Sequence, residues 1–142
     1  MEFVFHVSME KNTLGLAFFP FIFINKRVVK YKKLYQRTLN HERIHLAQQR
    51  ELLLIFFIIW YYIEYIYYCI RELDTYIAYR KISFEKECYQ NEKDDKYLIY
   101  RVPYNYIKKS SGRTLKKKGS TKKNLPPLTK LCNWMRYAAV TR

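Results

Sequence analysis

The stretch Asn40-His41-Glu42-Arg43-Ile44-His45-Leu46-Ala47-Gln48-Gln49 decides how the whole chain is read. On a helix, positions four apart share a face, so His41 and His45 can turn their rings toward one ion while Glu42 flanks them. This is the HExxH zinc-site pattern, and it uses two of the three histidines in the chain. Neutral imidazoles suit Zn²⁺, and a catalytic zinc site takes three protein ligands and keeps a fourth position for water. Glu42, next to the first ligand, can take a proton from that water as it attacks a carbonyl and pass it to the leaving amine. The pattern points to metal-assisted hydrolysis, with Zn²⁺ as cofactor, His41 and His45 as ligands, Glu42 as base and a third ligand still to be found.

The rest of the chain bounds this reading. At 142 residues it makes one domain with a tail and can bury only a modest core. The net charge of +15 is unevenly spread: residues 108–142 hold eleven Lys and Arg and no acidic residue. That leaves 16 of the 27 basic residues against all 12 acidic ones in residues 1–107, so the body is only mildly basic. Cys69, Cys88 and Cys132 are odd in number and widely spaced, which suggests free thiols and neither a disulfide framework nor a cysteine zinc site. Glu2 and the lack of a basic leader or small-residue cleavage site argue against a cleavable signal peptide.

Taken in order, residues 3–8 read as a strand carrying His6, which is expected to be packed there and is less expected as a third ligand. Residues 16–24 read as a second strand candidate, with Pro20 favouring an edge position or a break over a central strand. Residues 26–37 are basic and aromatic and read as a solvated connector, with contact to anionic headgroups as the alternative. Residues 52–70 contain Glu64 as their only charge, with Arg71 or Arg43 as its expected partner if the stretch folds back, and they approach the ~20 residues that a membrane span needs. Their tyrosines gather in the second half, as at a headgroup interface; a buried core helix is the alternative. Ser83 reads as the N-cap of a short helix over 84–92, and that helix is where the third ligand is sought. Glu85 and Glu87 would also suit the helix N-terminus simply as charges. Beyond Pro103 the chain becomes a Lys-rich tail, 108–142, that is expected to be flexible and suited to anionic lipid or nucleic acid.

The segment from Thr38 to Gln49, the apolar aromatic run after it, and Ala78-Tyr-Arg-Lys-Ile-Ser-Phe-Glu-Lys-Glu-Cys-Tyr-Gln-Asn-Glu together resemble a family of small bacterial HExxH proteins, over roughly residues 14–107. More distantly the chain is similar to the gluzincin zinc metallopeptidases, whose third ligand is a glutamate on a later helix. In the membrane prenyl-protein-processing members that later motif reads E-x-x-A-D, which implies Glu85 as the ligand, with Cys88 on the alanine and Tyr89 on the aspartate. Tyr89 thus removes a carboxylate that would orient a ligand. The aminopeptidase branch places its glutamate eighteen residues after HExxH, which falls on Glu64, the alternative third ligand. Residues 46–63, however, hold no Gly, Pro, Asn, Asp or Ser to turn the chain back. The bacterial resemblance also implies the inner membrane as the location.

Geometry adds a constraint. A straight helix from His45 to Tyr79 would rise ~50 Å, and six extended residues to Glu85 recover only ~20 Å. Either the apolar stretch bends back or Glu85 is not a ligand. The sequence therefore predicts a mostly helical α+β fold. It would be a minimal zincin-like, membrane-associated domain over 1–107, with a short N-terminal β layer, an HExxH helix and a long apolar helical region. The expected activity is peptide-bond hydrolysis, with an unnamed peptide or protein bound along the edge strand by strand addition. The alternative is a non-catalytic small membrane protein with a structural or vestigial metal site and a polyanion-binding tail. Charges on the two sides of the apolar stretch barely differ, so orientation is not readable, and neither is oligomeric state.

Overall fold

Short β-branched and aromatic runs at the N-terminus pair into a small sheet. In the computed structural model, which describes residues 1–110, β1 (Phe3–Val7), β2 (Gly15–Phe18) and β3 (Phe21–Asn25) form a three-stranded sheet with β3 in the centre. β1 runs parallel to β3 and β2 runs antiparallel to it. Of the two roles open to Pro20, the break is the one seen: the stretch 16–24 is two strands, because the chain reverses at Phe19-Pro20, where proline cannot continue a ladder. Alternation along the strands sends Ala17, Ile22 and Ile24 inward onto Leu39 and Leu46. Phe3, Phe5 and Phe21 stay partly exposed on the other face.

Two helices follow: α1 (Lys26–Val29) and the long α2 (Lys32–Glu72). The basic stretch expected to be a connector is thus α1 and the first turn of α2. Asn25 explains the entry. Its side-chain oxygen caps α1 at the Arg27 N–H, and its amide donates to the carbonyls of Met9, Glu10 and Thr13, which fixes the preceding loop.

α2 is two arms joined at Leu53, whose φ of 59° and ψ of 146° interrupt the helix. This bend meets the distance constraint set by the sequence. It occurs without a turn residue, because contacts on either side hold it. Glu51 pairs with Arg101 and accepts the Tyr104 N–H, while Phe57 beyond the bend packs on Phe84 with ring centroids 4.8 Å apart. After α2, Asp74 caps α3 (Thr75–Lys81) through the Tyr76 and Ile77 N–H groups, and α4 (Ser83–Asn91), α5 (Tyr97–Tyr100) and α6 (Asn105–Ser110) complete the described chain. The fold is α+β and mostly helical. Apart from residues 108–110, which end α6, the basic tail lies outside the described residues.

The second arm carries Phe57, Tyr61 and Tyr65 on one face, buried against Ala78, Tyr79, Ile82, Phe84 and Tyr106. The same helix is long and apolar enough to cross a membrane, but this buried row shows that one of its faces belongs to the protein interior.

A leucine in this positive-φ region carries strain of order 1–3 kcal/mol that glycine would not. Leu53 is 65% exposed, so little burial is lost on replacing it. Leu53→Gly should raise the unfolding free energy in urea by about 1 kcal/mol; a loss of about 1 kcal/mol, the usual effect of glycine inside a continuous helix, would show that the helix runs straight.

Candidate metal centre

The bend lays α4 across the first arm of α2, and each helix presents one face to the other. On α2 that face is His41, His45 and Gln48; on α4 it is Glu85 and Cys88, continued by Glu92 just past the helix end. Both sets follow the spacing of three or four residues that lines up side chains on a helix. All six residues are buried.

Hydrogen bonds fix which way each ring points. His41 Nδ1 lies 2.8 Å from Glu92 Oε2, and a carboxylate only accepts, so the proton sits on Nδ1. Arg37 in turn holds Glu92, its Nε 2.6 Å from Oε1. For His45, Nδ1 lies 2.9 Å from Gln48 Oε1. The Gln48 amide is oriented by its own NH₂ group, which donates to Glu87 Oε2 at 2.9 Å and to the Phe84 carbonyl at 3.2 Å. Both imidazoles therefore turn Nε2 inward, toward Glu85.

There the atoms meet: His41 Nε2 is 3.4 Å from Glu85 Oε2 and His45 Nε2 is 3.2 Å from Glu85 Oε1. His41 Nε2 and Glu85 Oε2 are buried and have no hydrogen-bond partner. Lone pairs on two nitrogens facing a carboxylate repel unless a positive charge lies between them. A proton can supply it: burial opposes the charged form of His41, but Glu85 and Glu92 outweigh burial and push its pKa up to about 9. Burial likewise works against the Glu85 carboxylate, yet His45 and His41 hold its pKa well below the usual range. A divalent metal can also supply the charge. Ligand atoms ~2.0–2.1 Å from a tetrahedral zinc are ~3.3 Å from each other, which matches both separations. The residues present fit such an ion.

The donor atoms of His41, His45 and Cys88 also lie within 4.8 Å of one another, a buried group able to hold a metal. The Cys88 thiol approaches from the other side, however, with Sγ 3.6 Å from His45 Nδ1 and accepting from Gln48 at 3.8 Å. Cys69 and Cys88 are free, as expected from the sequence, and Cys132 lies outside the described residues.

The remaining anticipated residues divide clearly. Glu42 is buried and lines the same cleft as His41, His45 and Glu85. Glu64, the alternative ligand, is not brought there. It accepts the Ser83 N–H at 2.6 Å, the Ser83 hydroxyl at 2.9 Å and the Trp60 indole at 3.0 Å. This also corrects two expectations. Ser83 does not cap α4 with its own oxygen, since Glu64 caps the helix from the second arm. Glu64 has neither Arg43 nor Arg71 as partner, since Arg43 pairs with Glu2 and Arg71 with Glu72. His6 is exposed and meets Tyr35, apart from the buried group. The carboxylate that Tyr89 lacks is supplied by Glu92, one turn on from Cys88, while the Tyr89 ring packs edge-on against His41 at 4.9 Å.

Sequence reasoning also missed Tyr61, whose hydroxyl donates to Glu85 Oε1 at 2.8 Å, and Tyr79, whose phenol stands near the same carboxylate. Burial and then Glu85 raise both phenols far above their ordinary range, so they remain donors at neutral pH. Glu92 and Gln48 had a readable signal, because each stands seven residues along the helix from Glu85 and His41. The tyrosines had none, because only the bend brings them here.

The cleft runs between β2 and the second arm of α2, lined by Leu16 and Phe18 on one side and Leu54, Ile58 and Tyr62 on the other. A scan against protein-family models, a search of curated proteins and a search of solved structures each return no match.

Gly15 lets the β2 backbone approach Glu42. A Cβ there would fall 2.8 Å from Glu42 Oε1 and 3.0 Å from the Thr38 methyl. Gly15→Ala should therefore cost about 1–3 kcal/mol of stability in denaturant unfolding, as overpacking does; an unchanged midpoint would show that β2 does not sit against Glu42.

Proposed function

We infer that the chain is a zincin-like, membrane-associated zinc metallopeptidase, with His41, His45 and Glu85 as ligands and Glu42 as base. The observation that supports this most is the convergence of two imidazole Nε2 atoms and one carboxylate at 3.2–3.4 Å, in a cleft that Glu42 also lines. Zinc bound there would polarise a peptide carbonyl and acidify a water. The chain's own residues do the rest. Glu92 and Gln48 hold the Nδ1 protons and so keep both Nε2 lone pairs aimed inward. Tyr61 restrains the Glu85 carboxylate by donating to its Oε1. Glu42 Oε1 takes the proton of the attacking water and returns it to the leaving nitrogen.

β2 is the edge of the sheet beside this cleft, which suits an extended peptide added as a further strand. Gln49 marks its far end by donating to the Ala17 carbonyl and accepting the Phe19 N–H. Walls of Leu, Ile, Phe and Tyr suit a peptide with apolar side chains at the point of cleavage. The second reading, a structural metal site in a non-catalytic membrane protein, draws on Cys88, since a buried His/His/Cys group can also hold zinc.

Elemental analysis separates the donor sets. Purified protein should carry about one zinc per chain, lost in His41→Ala and strongly weakened in Glu85→Gln, because an amide oxygen is a poorer ligand. Zinc should be retained in Cys88→Ser and Glu64→Gln. Absence of metal from the wild type ends the zinc reading, and loss of zinc in Cys88→Ser alone moves the site to the thiol.

Glu42→Gln should keep zinc while peptide cleavage falls by about two to four orders of magnitude. Equal turnover by the two proteins would place the activity in a contaminant or the base at another residue.

A further inference from the structure

The second arm of α2 has three parallel rows of side chains, each at four-residue spacing. Phe57, Tyr61 and Tyr65 turn inward. Leu54, Ile58 and Tyr62, the next row round, line the cleft. Ile55, Ile59 and Ile63, the row after that, are 69%, 51% and 63% exposed, and nothing among the described residues covers them. An apolar face of this extent on a soluble surface marks a docking site.

We propose that this outer row docks in the plane of an anionic bilayer, so that the second arm lies along the membrane surface and does not cross it. The inference rests on the membrane association in the reading above and adds its geometry. Length and composition alone would allow a crossing. The packing does not. The inward row is joined to the body along the arm: Glu64, near its middle, holds Ser83 at the start of α4, and Glu72, at its end, is 2.7 Å from Lys81. A crossing arm would carry Glu64, Glu85, Lys86 and Glu87 toward the bilayer centre, where each charge costs ~2.5 kcal/mol or more. Lying flat, it buries the outer row and leaves the charged neighbours at the surface.

The occupant follows from charge. Tyr106 of α6 packs on Phe84 at 4.5 Å and on Trp60 at 6.2 Å, so residues 108–142, with eleven basic and no acidic side chains, begin beside this face. An apolar helix face together with a polybasic segment is the pair of signals that holds a protein on an anionic membrane. A second copy would instead bring a charge of +15 against +15. The cleft row lies between the inward and outward rows, so the mouth of the cleft opens at the level of the lipid, where apolar peptide segments are found.

The test uses the full chain with Trp134→Phe, which leaves Trp60 as the sole tryptophan. It is mixed with phosphatidylcholine–phosphatidylglycerol vesicles whose acyl chains carry bromine either near the glycerol or near the terminal methyl. Trp60 fluorescence should be quenched more by the bromine near the glycerol. Ile59→Lys with Ile63→Lys should lower vesicle partitioning by about tenfold or more, at unchanged zinc content. Stronger quenching by the deep bromine overturns the in-plane geometry. Binding without quenching, or binding unaffected by the double variant, shows attachment by the basic segment alone and overturns the docking face, as does failure to bind the vesicles. Zinc content and dependence on Glu42 are measured in solution without lipid, so the peptidase reading stands or falls separately.

Discussion

A buried carboxylate facing two imidazole nitrogens is the constraint around which this small chain is built. Glu85 has left water, and an uncompensated buried charge of that kind costs several kcal/mol. The compensation is layered. His41, His45, Tyr61 and Tyr79 surround it, Glu92 with Arg37 stands behind His41, and Gln48 with Glu87 stands behind His45. Glu87 is itself held by Arg101, Tyr97 and Gln48, and Arg101 reaches back to Glu51 beside the bend. Removing one member of such a network strands the next, so the site and the fold are not independent.

The same network explains why the bend can sit on a leucine. A bend in a helix is usually assigned to a proline, a glycine or an inserted water. Here the first arm is fixed by its histidines against α4, and the second arm by the inward row against Phe84 and by Glu64 on Ser83. Leu53 is the residue left over between two arms whose directions are already set. Its strain is small beside the cost of leaving Glu85, Glu64 or Glu51 without partners.

This accounts for what the sequence made legible. The motif helix could be read because His41 and His45 recur at helical spacing, the short helix near Glu85 because Ser83 and the acidic residues after it mark a helix start, and the first N-terminal strand because β-branched and aromatic residues run together there. The distance from His45 to Glu85 left a choice between a bend and the loss of Glu85 as ligand, and a bend could not be placed, since residues 46–63 contain no turn former and the bend depends on tertiary contacts. Glu64 illustrates the limit. Its spacing from the motif matched a ligand, but its position on the second arm turns it toward Ser83, away from the histidines. The hairpin in residues 16–24 was legible only in part: Pro20 allowed a break, but two apolar strands joined by a tight turn also look like one longer strand at an edge.

The polar interior also bears on the surface. A domain of this size buries a limited share of its chain, and here much of that share is taken by His41, Glu42, His45, Gln48, Glu85, Glu87 and Glu92. Interior space given to charged and hydrogen-bonded groups is unavailable to Ile, Phe and Tyr. The apolar residues thus displaced are gathered on the second arm of α2 and on the outer face of the sheet, where Phe3, Phe5 and Phe21 lie. In water such an arrangement invites aggregation, whereas a lipid surface removes the cost of exposing the second arm. The buried charge at the candidate metal centre and the uncovered isoleucines outside are therefore two sides of one allocation: a chain too small to bury both has put its charged groups inside and left an apolar face on its surface.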